Sequence, residues 1–100
     1  MNEILEDDTE DNDGDFKATG ETKNILGAAL TGIGEYDEAE RTLLDAYTSF
    51  LEEHGEAHAG VSLAAFNLAE MFKAQGDSDA EAKWREVEAR ALEAARAAEE

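Results

Sequence analysis

One pattern returns at a fixed distance of 42 residues: Leu26, Gly27, Leu30 and Gly34 are answered by Leu68, Ala69, Phe72 and Gly76. A unit that recurs at this period cannot bury its apolar side alone and is completed by stacking on its neighbour. The small residues Gly27 and Ala69 mark a close approach of two helices. Gly34 and Gly76 supply the left-handed residue that ends a helix without a Cβ penalty. Ala39, with Ala80 or Ala82 in the second copy, keeps the returning helix tight against the first. The 100 residues contain no proline and are rich in Ala, Glu and Leu, which favours helices throughout.

The periodicity predicts an all-α chain of four helices. Ile25, Leu26, Ala29, Leu30 and Ile33 share the expected inner face of the first. Ala39, Leu43, Ala46, Tyr47, Phe50 and Leu51 do so in the second, which stops near Gly55. The third carries Val61, Ala65, Leu68, Ala69 and Phe72 inward. The fourth carries Ala80, Trp84, Val87, Ala91, Leu92 and Ala95, with Trp84 read as core. Asp37 with Glu40, and Ser78 with Glu81, have the spacing of capping boxes.

Residues 1–20 hold 8 acids and one lysine, too polar to offset their own ordering entropy, and are expected to form a flexible acidic tail. The folded domain is expected over 21–100. Within "DDTEDNDGD", placing Gly14 at the sixth position of a calcium loop puts Thr9 first and Gly20 last, where Asp and Glu are required, so calcium is not expected. His54 and His58 have helical metal-ligand spacing, but Gly55 interrupts them and no third ligand is placed, which leaves a structural reading. With 26 acids against 8 bases, a net charge of −18, phosphate backbones and anionic membranes are poor partners. No cysteine offers a thiolate, and no nucleophile–base pair or phosphate loop is present, so neither an enzyme nor a cofactor is expected. The first residues have neither a basic start nor an apolar stretch, and a cytoplasmic location is expected.

Two segments carry a family resemblance. Leu26-Gly27, Leu30 and Gly34-Glu35-Tyr36-Asp37-Glu38-Ala39-Glu40 form one; Gly55-Glu56-Ala57-His58 followed by Asn67-Leu68-Ala69-Glu70-Met71-Phe72-Lys73-Ala74-Gln75-Gly76-Asp77 form the other. Together they resemble the tetratricopeptide repeat, in the 42-residue variant of kinesin light chains and bacterial relatives. Ala59 stands where that variant has proline, Ser78 where it has tyrosine, and the alanine after Gly76 is displaced by one. The resemblance implies a right-handed α-α superhelix of two hairpins, one over about 22–54 and the other over about 58–98. It also implies a concave face lined by the first helix of each.

Asn67 is a polar residue among apolar neighbours, and in similar repeats an asparagine there bonds the backbone of a bound peptide. Phe66, Glu70 and Lys73 share its face, as do Asn24, Ala28 and Thr31 in the first repeat. The function so implied is non-catalytic binding of a protein or peptide, basic or amphipathic because of the acid excess. The alternative is a terminal fragment of a longer array, or a module that self-associates weakly through the Trp84–Leu92–Ala95 side of its last helix.

Overall fold

The computed structural model describes residues 19–99, so the expectation for the acidic tail falls almost wholly outside the described residues. The described chain is all-α: α1 spans Gly20–Gly32, α2 Tyr36–His54, α3 Ala59–Gln75 and α4 Ser78–Glu99. None of these helices is long and apolar enough to cross a membrane.

Three glycines set the turns. Gly34, Gly55 and Gly76 have φ of 84°, 87° and 89°, a region that penalises any side chain. At the first and last the same hydrogen-bond pair closes the helix. Gly34 N–H donates to the Thr31 carbonyl and Glu35 N–H to that of Leu30; Gly76 N–H donates to Lys73 and Asp77 N–H to Phe72. Both are Schellman motifs. The two sets of partners stand 42 residues apart, so the sequence period is also a period of backbone structure. Each short connection returns the chain on itself, giving the hairpins α1–α2 and α3–α4. Packing then runs from neighbour to neighbour: α1 on α2, α2 on α3, α3 on α4, with α1 also lying against α3.

The core forms where the hairpins meet. Ala39, Leu43, Leu68 and Met71 are fully buried, ringed by Leu30, Tyr36, Tyr47, Phe72 and Trp84. A second cluster joins Phe50, Val61 and Ala91. Tyr47 touches both, and Trp84 meets it edge-on at 5.1 Å, which ties α4 back to α2. Burial of side chains such as Leu43 and Leu68 contributes roughly 1.5–3 kcal/mol each. The predicted inner face of α3 is observed, with Val61, Ala65, Leu68 and Ala69 buried and Phe72 half-buried.

The first helix is turned differently from expectation. Its buried residues are Asn24 and Gly27, while Ile25 is 72% exposed, Leu26 46% and Ile33 73%. Ala29 is exposed too, and Leu30 alone of the predicted stripe reaches the core. The glycines decide this. A Cβ on Gly27 would overlap Leu43, and one on Gly20 would overlap the Phe50 ring, so α1 presents these two glycines to α2 and turns Ile25, Leu26 and Ile33 to solvent. Leu51 and Leu92, also expected inside, are 37% and 48% exposed.

Both capping boxes are corrected as well. Asp77 Oδ1 accepts from Ala80 N–H at 3.1 Å, and Ser78 is already helical. At α2 the residue before the helix is Glu35, with no side-chain cap, and Asp37 lies in the first turn. Thr19 caps α1 through Thr22 N–H. His58 caps α3, its Nδ1 accepting from Gly60 N–H at 2.9 Å, and its ring stacks on Phe50 and His54 at 5.1 and 4.3 Å.

Candidate functional site

The seam between α1 and α3 is where the predicted binding residues meet. Ala28, Thr31 and Gly32 from α1 and Phe66, Asn67 and Glu70 from α3 line one cavity of about 290 Å³. Five of the seven residues named from sequence are thus together. Each helix presents them through its own period: 28 and 31 are three apart, and 66, 67 and 70 cover one turn of the other wall. Small residues at Ala28 and Gly32 keep the α1 wall low. The Thr31 hydroxyl donates to the Gly27 carbonyl at 2.9 Å, so it is engaged within α1.

The remaining two lie elsewhere. Lys73 is exposed and lines no part of this cavity. Asn24 is only 2% exposed and lines a second cavity of about 160 Å³, further along the seam. Leu63, one turn before Phe66 and Asn67, lines that second cavity, so the two depressions follow one another down the same face of α3.

Sequence reasoning did not name Arg85. Its guanidinium, on α4, donates to Glu70 Oε2 at 2.6 Å and to Glu81 Oε2 at 3.2 Å, and sits 5.6 Å from the Phe66 ring centroid. The hydrogen bond to Glu70, backed by the charge of the pair, raises Arg85 above its ordinary pKa. The same hydrogen bond holds the Glu70 carboxyl below its ordinary value, against an opposing effect of burial, with Arg85 and Lys73 charges adding to the fall. Glu70 is therefore an ionised, oriented acceptor whose charge Arg85 answers. The Glu81–Arg85 spacing of four was visible in the sequence. Its reach to Phe66 and Glu70 depends on how α4 registers against α3, which no local pattern specifies.

A wider, open depression of about 590 Å³ lies at the α3–α4 turn, beside Glu40, Gln75, Asp77 and Asp79. It contains none of the predicted residues and has acids as its charged groups. On α4, Trp84 is half-buried against Tyr47 as expected of a core residue, while Lys83, Glu86, Val87 and Arg90 border a shallow surface beside it. No protein-family model, curated protein or solved structure matches this chain.

Proposed function

We propose that this protein is a non-catalytic binding module of the tetratricopeptide-like kind, taking an extended peptide or protein segment along the α1–α3 seam. One observation carries the reading. Five of the seven residues that the repeat resemblance assigns to one face, drawn from two sequence segments, line one cavity between two helices. The repeated turn geometry and neighbour-to-neighbour packing support it. Asn67 supplies a carboxamide that both donates and accepts, and Phe66, backed by Arg85, supplies an apolar face. The net charge of −18 favours a basic or amphipathic segment, and it makes association salt-sensitive. Because Arg85 already answers Glu70, the preference arises from the whole acid excess rather than from that carboxylate.

The test is a peptide selected from an unbiased library and titrated by calorimetry. Asn67→Ala should lose roughly 1–2 kcal/mol of binding with the circular dichroism spectrum unchanged. Unaltered affinity, or loss of the fold, would sink the assignment. The exposed row Ile25, Leu26 and Ile33 favours a second reading, in which α1 is an end surface of a longer array or of a self-associated one.

A further inference from the structure

Asn24 is a buried polar residue whose Nδ2 and Oδ1 both lack a hydrogen-bond partner among the described residues. A carboxamide without partners carries its full desolvation penalty, and a leucine of the same branched shape would not. The side chain lines the 160 Å³ cavity with Glu21 from α1, Phe50 from α2, the capping residue His58, and Gly60 and Leu63 from α3. The wall opposite α1 is set before anything enters: the His58 ring is held by its bond to Gly60 N–H and stacked on Phe50. A Cβ on Gly60 would overlap Phe50, so this corner requires glycine. A cavity of about 150 Å³ takes benzene, so this one fits a single medium-sized side chain. Leu63, 50% exposed, offers apolar contact, and Glu21 disfavours an anionic guest.

An extended chain turns the N–H and C=O of one residue to the same side, the pair a carboxamide can meet with its own acceptor and donor. We propose that the Asn24 cavity is the anchoring subsite of the seam, taking one apolar side chain of an uncharged or basic peptide while the Asn24 carboxamide pairs with the peptide backbone. The proposal rests on the binding reading above and adds to it where the segment is gripped and by what chemistry.

The experiment is a nitrogen-15 NMR titration of the full chain with N-acetyl-leucine N-methylamide. N-acetylglycine N-methylamide and N-acetyl-leucine serve as probes lacking the side chain and carrying a carboxylate. The leucine amide should move the Asn24 side-chain resonances and the Leu63 amide at concentrations about tenfold below either control. Asn24→Leu should abolish the response and raise the melting temperature by about 4 °C or more, since it removes the unpartnered group. Leu63→Gln, altering a half-exposed rim residue, should weaken the probe about fivefold with the fold intact. No response at Asn24, an equal response from the glycine probe, or a lowered melting temperature in Asn24→Leu, meaning that water already satisfies the amide, would each overturn the subsite. A library-selected peptide that moves Phe66 and Asn67 but not Asn24 overturns the subsite alone. One that moves nothing on the seam overturns the groove itself.

Discussion

At residue scale, the absence of a side chain does as much structural work here as its presence. Gly27 lets α1 approach α2 until its Cα faces Leu43, which is fully buried. Gly27→Ala should therefore cost about 1–3 kcal/mol in urea unfolding through overpacking. Gly32 is the matched control: nothing lies within 4 Å of the Cβ it would carry. Gly32→Ala should be neutral or stabilising by up to about 1 kcal/mol. Equal effects of the two would show that Gly27 is tolerated rather than required. The smallness of Gly27 and its repeat partner Ala69 was legible in the sequence, because small residues recurred at one register. The role of Gly20 and Gly60, which flank the Phe50 ring, was not legible, because that contact joins three separate helices and depends on how they pack.

At the scale of elements, the turn between α3 and α4 explains why one boundary was misplaced. Asp77 N–H completes the Schellman motif of α3 while Asp77 Oδ1 caps α4. One residue serves both helices, so Ser78 has no place outside a helix. Asp77→Ala should destabilise by about 1 kcal/mol and Ser78→Ala by little, measured by thermal denaturation; the reverse order would restore the S-x-x-E box. The helices themselves and the inner face of α3 followed from periodicity, since α3 is flanked by other helices and its apolar side had to be covered. The face of α1 did not follow. Periodicity shows that Ile25, Leu26, Ala29 and Ile33 share a side, but the contacts of Gly20 and Gly27 choose which side is inward, and those contacts are tertiary. Five of the seam residues were readable because the repeat resemblance assigned them to one face. Arg85 was hidden because it arrives from a third helix.

For the whole molecule, the outward row on α1 and the acid excess act against each other. Apolar Ile25 and Ile33 favour contact between copies, and a net charge of −18 opposes it. Self-association should therefore strengthen with added salt, and replacing both residues by lysine should weaken it about a hundredfold in sedimentation equilibrium. A wild-type chain that stays monomeric at all concentrations and salts would refute this. The same arrangement has a kinetic side. α1 is held to the rest through Gly20, Asn24, Gly27 and a half-buried Leu30, so it buries little hydrocarbon, and it lies against α2 and α3 but not α4. Its amides should exchange with deuterium at least about tenfold faster than those of α3, as an independently opening unit. One wall of the seam would then swing on a hinge at Gly34. A guest bridging both walls would slow that exchange, and its apparent affinity would be scaled down by the fraction of molecules in which the wall stands closed.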